Sequence, residues 1–428
     1  MKFRHDSGLD FTDLFCGGGG STTGLIETGY ILGLAMNHSP VSIRTHMANH
    51  PMAKHLCEDI NAFDKRSLPR TRVLWGSPIC TEIAPAGGRK RSRGQVAIAM
   101  DGEDNEDGIA SAETFTRTRA TALDIVAATE VHRYDAVLCE NVVEFATDWE
   151  LFDWWIGGMT ILGYNHQIVS ASSAHLGGGD NPQAPQYRDR IYVVFTRKGI
   201  PLPNLEVRPE ALCPECGPVQ AHQVWRNPRR RKIGKWGVQY DYRCPNRACG
   251  HLILDPTVRP IADIIDWDKA GTRIGDGRPD RRAFTPYAPT TRARVARGLQ
   301  MFGNAPHVAM LRRNGTAVPV TGPVPALSAQ GRHHALVIPI GRKGAPRTTG
   351  EPLTTVATKP HHSIVRTAAE VDDCTLRMFT TEELMQAQRF PKGYIVHGNQ
   401  EERILQAGNA VSVNAARWIG ERVKAVLV

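Results

Sequence analysis

The sequence predicts an α/β protein with a doubly wound, largely parallel sheet and an irregular domain inserted before the C-terminal part of the chain. Short β-like apolar runs alternate with longer helical stretches over the first 200 residues, and a glycine-rich turn follows the first run. Regular alternation is then lost between about residues 200 and 373. The chain has 428 residues, which is enough for two or three domains.

Five apolar runs are expected to form strands of this sheet. They are Phe11–Phe15, Ile31–Met36, Val73–Gly76, Ala136–Leu138 and Ile191–Phe195. Helical patterning returns near the C terminus, where Thr381-Glu382-Glu383-Leu384 is typical of a capped helix start. A last helix is expected over Val413–Ala425.

The positive charge of the chain is concentrated in its middle region. The whole chain carries a formal charge of +9, whereas residues 201–373 hold 26 Lys+Arg and 14 Asp+Glu, a net of +12. A basic region beside a near-neutral body is typical of an enzyme that acts on a polyanion, although basic surfaces also occur in proteins that bind no nucleic acid. We divide the chain into residues 1–199, 200–373 and 374–428.

The cysteines and the apolar runs indicate the cellular compartment of the protein. Nine cysteines at uneven spacing do not form a secreted disulfide framework, so reduced thiols are expected. No apolar run approaches the roughly 18 residues that a membrane helix requires. The N-terminal residues Met1–Asp6 also lack the apolar core of a signal peptide. We therefore expect a cytoplasmic protein with no membrane partner.

The first apolar run leads into four consecutive glycines, Gly17–Gly20. Glycines after a strand let the backbone approach a ligand closely, and the following helix N-terminus offers amide donors. The motif predicts a nucleoside-type cofactor, whereas a turn that needs glycine only for its geometry is the alternative. The Lys-Ser/Thr ending of a phosphate loop is missing, which disfavours ATP and GTP.

Reactive and charged side chains stand at the ends of the other runs. Cys80 follows the third run, Glu140 follows the fourth, and Arg188 and Arg190 alternate at the start of the fifth. Because α/β sheets place their sites at the carboxyl ends of parallel strands, a nucleophile, a general acid and two cations could meet there. A buried structural cysteine and solvated arginines are the alternatives.

Taken in order, these motifs resemble those of the DNA (cytosine-5)-methyltransferases of bacteria and phages. The similarity covers residues 9–196 and 374–425. It rests on the glycine turn, Cys80, Glu140-Asn141-Val142, Gln186 to Arg190, Arg377 through Phe390-Pro391, and Gly408-Asn409-Ala410-Val411. The resemblance implies a Rossmann-like methyltransferase fold in which residues 1–199 and 374–428 form one discontinuous catalytic domain.

The same resemblance implies a reaction and its residues. Cytosine flipped out of double-stranded DNA would be methylated at C5 by S-adenosyl-L-methionine. Cys80 would bond to cytosine C6, Glu140 would donate a proton to N3, and Arg190, with Arg188 behind it, would orient the base. The cofactor site would be formed by Phe15, Gly17, Gly18, Gly20, Asn37, Asp59, Ile60, Asn409 and Val411.

Three positions depart from the family pattern. Asn37 stands where an acidic residue usually contacts the ribose hydroxyls, and Ile79 and Thr81 stand where Pro and Gln usually flank the cysteine. A DNA-binding homologue impaired in turnover is therefore an alternative. An RNA (cytosine-5)-methyltransferase is a second one, against which the large middle region favours DNA. We expect a monomer, with a cognate restriction endonuclease as a possible partner.

Two cysteine pairs in the middle region have the spacing of metal ligands. Cys213, Cys216, Cys244 and Cys249 suit a structural Zn²⁺ in a zinc ribbon over residues 211–252, with free cysteines as the alternative. Between the pairs lies a basic run, for which phosphate contact and a solvated hairpin both remain open. By position the middle region resembles the family's target-recognition domain, and the ribbon resembles an insertion within it.

Overall fold

The computed structural model describes residues 8–78, 112–311, 315–329, 333–339 and 370–428. The chain divides into two compact units. The first unit comprises Met1–Arg259, Pro325–Gly331 and Leu384–Val428, and the second comprises Pro260–Val324 and Arg332–Glu383. None of the helices in the described ranges combines the length and the apolar character that crossing a bilayer requires.

The large sheet lies in the first unit. Its strands are β1 (Asp10–Leu14), β2 (Ile31–Met36), β3 (Lys54–Leu56), β4 (Val73–Gly76), β5 (Ala136–Asn141), β6 (Tyr164–Ser172) and β8 (Asp189–Arg197). They are arranged in the order β3-β2-β1-β4-β5-β8-β6. All run in the same direction except β8, which is antiparallel to both of its neighbours. The predicted parallel-dominated α/β fold is confirmed.

Both faces of this sheet are covered by apolar side chains. Strands β4 and β5 are buried along their whole length, as expected for parallel strands between two layers. Leu74 and Trp75 are neighbours on β4 and belong to different hydrophobic clusters, because successive strand side chains point to opposite faces. The sheet is therefore a rigid base that fixes the residues at its carboxyl edge.

Helices and a short strand complete the first unit. They are α1 (Gly20–Glu27), α2 (Pro40–Asn49), α3 (Ala112–His132), α4 (Glu144–Thr147), α5 (Phe152–Ile161), β7 (Gln186–Tyr187), α8 (Gln400–Asn409) and α9 (Val413–Leu427). Helix α9 begins where the sequence predicts and continues two residues beyond the expected end. Tyr30 donates a hydrogen bond from its hydroxyl to the carbonyl oxygen of Gly420, which helps to fix α9 against the N-terminal half.

The second unit contains a smaller antiparallel sheet. Its elements are β14 (Thr272–Arg273), α6 (Pro289–Phe302), β15 (His307–Met310), β16 (Ala317–Pro319), β18 (His334–Pro339) and β19 (Cys374–Met378). Two elements include residues of both units, namely β17 (Val324–Pro325) and α7 (Thr381–Ala387), which follows β19. The sheet order is β14-β19-β18-β15-β16. The N–H of Glu383 donates to Oγ1 of Thr380 at 3.2 Å, which gives α7 the capped start that the sequence predicts.

The cysteine-rich segment forms a third group of strands. They are β9 (Glu210–Cys213), β10 (Gly217–Gln220), β11 (His222–Trp225), β12 (Tyr240–Arg243) and β13 (Ile253–Leu254). By its contacts the ribbon belongs to the first unit, and the second unit starts at Pro260. The ribbon packs on the large sheet through apolar side chains, since Tyr240 and Tyr242 share one hydrophobic cluster with Trp75.

Candidate active site

A pocket that is partly open to solvent lies beyond the carboxyl ends of β1, β2 and β3. Four residues predicted to bind the cofactor meet there: Phe15, Asn37, Asp59 and Ile60. The remaining lining residues are Met36, His38, Glu58, Asn61 and Thr121. The carboxyl edge of a parallel sheet is where α/β proteins bind ligands, so the location agrees with the predicted use.

The turn from β1 into α1 borders this pocket. Phe15 has a φ of 63° and Gly17 a φ of 52°, so both lie in the left-handed region. An aromatic residue rarely adopts that conformation, and such strain concentrates at ligand sites. The backbone N–H of Cys16 donates to the carbonyl oxygen of Met36 at 3.1 Å, which ties the turn to β2.

The C-terminal segment packs against the same turn. A Cβ atom added at Gly20 would overlap the carbonyl oxygen of Val411, so only glycine permits this approach. The hydroxyl of Tyr394 donates to the carbonyl oxygen of Gly18 at 2.7 Å. Asn409 ends α8 and is exposed. Val411 therefore reaches the glycine turn, although neither it nor Asn409 is among the residues that line the described pocket.

Glu140 and Arg190 form an ion pair at the edge of the sheet. Nε of Arg190 lies 2.9 Å from Oε1 of Glu140, and their side chains are 14% and 9% exposed for Arg190 and Glu140, respectively. They meet because β8 runs antiparallel to β5, so the start of β8 lies beside the end of β5. The pair offers carboxyl oxygens and guanidinium donors to a polar planar ligand.

Asn141, the last residue of β5, holds the chain that leads to the predicted nucleophile. Its Nδ2 donates to the carbonyl oxygen of Pro78 at 3.1 Å, and its Oδ1 accepts from the N–H of Val142 at 2.8 Å. Cys80 follows Pro78 by two positions and lies outside the described residues, as do Ile79 and Thr81. The described contact fixes the backbone immediately before them.

Two other thiols near this edge are unsuited to nucleophilic chemistry. Burial raises the pKa of Cys16 and of Cys139 well above the ordinary range for a thiol. Because the thiolate is the nucleophilic form, neither residue is suited to act as a nucleophile.

Arg188 is directed at the backbone of the C-terminal motif. Its Nη2 donates to the carbonyl oxygens of Gly408 at 3.1 Å and Ala410 at 3.0 Å, and the residue is only 4% exposed. We expected Arg188 behind Arg190 as part of the base-binding site. These contacts connect the start of β8 to the segment that packs on the glycine turn, and the predicted place of Arg188 behind Arg190 stays a prediction.

The four predicted metal ligands come together in the ribbon. The Sγ atoms of Cys213, Cys216, Cys244 and Cys249 all lie within 4.8 Å of one another. Gly217 and Gly250 follow the two pairs with φ of 74° and 67°, a left-handed turn that favours glycine. Zn–S bonds of about 2.3 Å fit a cluster of this size.

The four thiols differ in how readily they lose a proton, because burial raises the pKa of Cys244 whereas a backbone hydrogen bond favours the thiolate of Cys249. A hydrogen bond from the backbone N–H of Leu252 lowers the pKa of Cys249 to about 7. Metals bind thiolates, so this contact favours the form that would coordinate the ion.

Comparison with known proteins supports the same type of enzyme. The family model described as "C-5 cytosine-specific DNA methylase" matches residues 9–103 and 299–425, which is just over half of the chain. The chain belongs to the C-5 cytosine-specific DNA methylase family. A search of curated protein sequences finds no match.

Solved structures share the fold of this methylase. A substituted form of DNMT2 from Spodoptera frugiperda is 16% identical, with 98% of this chain and 100% of that chain covered and a TM-score of 0.54. The methyltransferase EhMeth from Entamoeba histolytica is 10% identical, with 99% of both chains covered and a TM-score of 0.53. Dnmt2 from S. pombe is 14% identical, with 98% of both chains covered and a TM-score of 0.51.

The family match leaves a gap that contains much of the candidate site. Glu140, Arg190 and the four-cysteine ribbon all lie between residues 103 and 299, outside the matched ranges. Sequence reasoning finds Glu140 and Arg190 from their motifs. It misses the contacts of the methylase ribbon with this edge, such as the ring of Trp236 stacked on that of Tyr187, with centroids 5.5 Å apart. An aromatic residue after a basic run was the only available signal.

Proposed function

We propose that the protein is a DNA cytosine C5-methyltransferase that methylates a cytosine flipped out of duplex DNA and bonds transiently to it through Cys80. The observation that carries the proposal is the Glu140–Arg190 ion pair beside Asn141, whose amide binds the carbonyl oxygen of Pro78. This arrangement brings the chain leading to Cys80 to the edge of the sheet where a carboxyl and a guanidinium are available.

The chain's own residues would activate an unreactive carbon. Cytosine C5 becomes nucleophilic when the Cys80 thiolate adds to C6 and breaks the C5–C6 double bond. Glu140 donates a proton to N3 and thereby balances the charge that develops on the ring, while Arg190 orients the base. After methyl transfer a base removes the C5 proton, the electron pair re-forms the C5–C6 double bond, Cys80 leaves as thiolate, and N3 returns its proton to Glu140.

The pocket beside the glycine turn is the proposed cofactor site. S-adenosyl-L-methionine supplies an electrophilic methyl group when it is bound. Phe15 and Ile60 offer apolar contact, Asp59 would lie near the adenine amino group, and Asn37 can hydrogen-bond the ribose hydroxyls without adding charge. The turn residues Gly17, Gly18 and Gly20, with Asn409 and Val411 from the C-terminal motif, would complete the surroundings.

The ribbon is the proposed site of a structural Zn²⁺. All four ligands are sulfur and no fifth position is required, which is typical of a closed structural site rather than a catalytic one. Cys213, Cys216, Cys244 and Cys249 would hold the ion and fix the ends of the segment between the two pairs.

Duplex DNA is the proposed substrate. The family description names DNA, and the excess of positive charge between residues 201 and 373 suits a phosphate backbone. The large region between the two parts of the family match would provide target recognition, and RNA is the competing substrate.

Methyl transfer tests the proposal directly. Purified protein is incubated with labelled S-adenosyl-L-methionine and either genomic duplex DNA or total RNA, with Cys80→Ala as the control. Label on cytosine of DNA that disappears in the variant supports the proposal. Label on RNA alone transfers it to the RNA substrate, and DNA affinity without label on either indicates a binding protein that has lost turnover.

A further inference from the structure

The segment Arg226–Trp236, here called the ribbon arm, joins β11 to β12 between the two cysteine pairs. It is anchored to the body of the first unit. The N–H of Gly234 donates to Oγ of Ser170 at 3.1 Å, and Nζ of Lys235 lies 2.6 Å from Oε1 of Glu144. The arm is therefore fixed to the large sheet and not only to the ribbon.

An apolar contact reinforces these polar anchors. Ile233 is buried and belongs to the same hydrophobic cluster as Val142 and Val143, which follow Glu140 in the chain. The guanidinium of Arg231 lies over the ring of Phe152, 5.0 Å from its centroid. Together these contacts define one face of the arm as a docking face.

The docked face lies next to the proposed base-binding pair. The N–H of Trp236 donates to Oδ1 of Asp189 at 3.3 Å, and Asp189 immediately precedes Arg190. Glu144, which binds Lys235, follows Glu140 by four positions in the sequence. The arm thus borders the edge of the sheet at which the substrate base would bind.

The cations of the arm fall into two groups. Arg226, Arg231 and Lys235 form ion pairs with carboxylates of the first unit. Arg229, Arg230 and Lys232 are exposed, and none of them has an ion-pair partner among the residues that the structure describes. Three uncompensated charges within four positions create a positive potential that favours a bound polyanion.

We propose that Arg229, Arg230 and Lys232 bind backbone phosphates of the DNA that carries the target cytosine, so that the ribbon is a second DNA-binding element built onto the catalytic unit. The proposal rests on the proposed function for its substrate. Phosphate contacts of this kind position a duplex and carry no sequence information, which suits an element on the same body as the base-binding pair.

The test compares two triple variants of the full, zinc-loaded chain. One is Arg229→Gln with Arg230→Gln and Lys232→Gln. The matched control replaces three other exposed cations of the first unit that lack a described ion-pair partner, as Lys54→Gln with Arg70→Gln and Lys198→Gln. Affinity for a methylatable duplex DNA and for an RNA of the same sequence is measured by fluorescence anisotropy over a series of salt concentrations.

The arm variant should bind DNA about tenfold more weakly at low salt, and its slope of log K against log[salt] should fall by about 2 to 3, because each phosphate contact contributes roughly 0.9. The control should keep the wild-type slope. Equal slopes for the two variants, or a loss seen on RNA and not on DNA, would overturn the proposal.

Failure of the proposed function is recognised separately. If the wild type transfers methyl groups to DNA while the arm variant keeps the wild-type slope, only the role of the arm is wrong. If the wild type transfers no methyl group but the arm variant loses slope on DNA, the phosphate contact stands and the catalytic proposal is wrong.

Discussion

The sheet edge that carries Glu140 and Arg190 and the ribbon arm lie side by side, yet they are held in place differently. Glu140 and Arg190 are positioned by the backbone hydrogen bonds of two paired strands inside a buried sheet. The arm is positioned by side-chain contacts and by the two cysteine pairs that flank it. The comparison indicates that the edge depends on how the chain folds, whereas the arm would depend on the proposed zinc ion as well.

The largest effect is expected on the methylation rate, when Glu140 at the edge of the sheet is substituted. Glu140→Gln keeps the size of the side chain but removes the acidic proton, so the methylation rate should fall by about 10²- to 10⁴-fold while the fold is retained. Single-turnover rates and thermal unfolding are measured beside Glu130→Gln, an exposed carboxylate on α3. A Glu140→Gln rate within threefold of the control would contradict the role of Glu140.

Gly20→Ala should destabilise the first unit and weaken cofactor binding, because the added Cβ overlaps the carbonyl oxygen of Val411. We expect a loss of roughly 2 to 4 kcal/mol, as for other overpacked or strained sites. Gly157→Ala on α5 is the matched control, since no atom lies within 4 Å of its added Cβ and alanine favours a helix. Both variants are unfolded in urea. Equal midpoints would mean that the close approach of Val411 to Gly20 does not contribute to stability.

Removal of the proposed zinc ion should destabilise the ribbon and its arm, while the sheet edge with Glu140 and Arg190 keeps its structure. A chelator that strips zinc should lower the unfolding midpoint by a few degrees and expose the ribbon to proteolysis, whereas cofactor binding at the glycine turn persists. Cys216→Ser should reproduce this effect, and Cys57→Ser, at an exposed cysteine outside the cluster, should not. Mass spectrometry of the native protein that finds no zinc would refute the assignment.

The smallest effect is expected at the contact between arm and body. Lys235 and Glu144 are 38% and 13% exposed, so their ion pair should contribute only about 0.5 to 1 kcal/mol. A double-mutant cycle with Lys235→Gln and Glu144→Gln measures the coupling. The more exposed pair of Arg66 and Asp64 provides the control, with coupling near zero. Equal coupling in both pairs would mean that Lys235 is not an anchor.

Local sequence patterns predict the glycine turn, the strands at the sheet edge and the cysteine cluster well. The apolar run before Glu140, the start of the run that carries Arg190, and the glycine turn are all signals within a few residues of the side chains concerned. The spacing of Cys213, Cys216, Cys244 and Cys249 likewise predicts that their sulfur atoms meet, and the structure brings them together. Such features follow from periodicity and ligand spacing.

The features that the sequence does not predict depend on contacts between distant segments. Nothing near Arg188 in the sequence signals that its guanidinium binds the carbonyl oxygens of Gly408 and Ala410, more than 200 positions away. The requirement for glycine at position 20 likewise arises from Val411 and not from the turn alone. The attachment of the ribbon to the first unit also depends on contacts between distant segments. The sequence of a basic run does not show whether its cations will form ion pairs with carboxylates or remain in solvent.

The central claim is that the sulfur of Cys80 bonds to the target base, and a duplex containing 5-fluorocytosine tests it most directly. Fluorine cannot leave C5 as a proton does, so methyl transfer should trap the protein on the oligonucleotide as a covalent complex that survives denaturing electrophoresis. We predict that the wild type forms this complex in the presence of S-adenosyl-L-methionine and that Cys80→Ala does not. A wild type that methylates ordinary DNA but forms no complex with the fluorinated duplex would contradict the account.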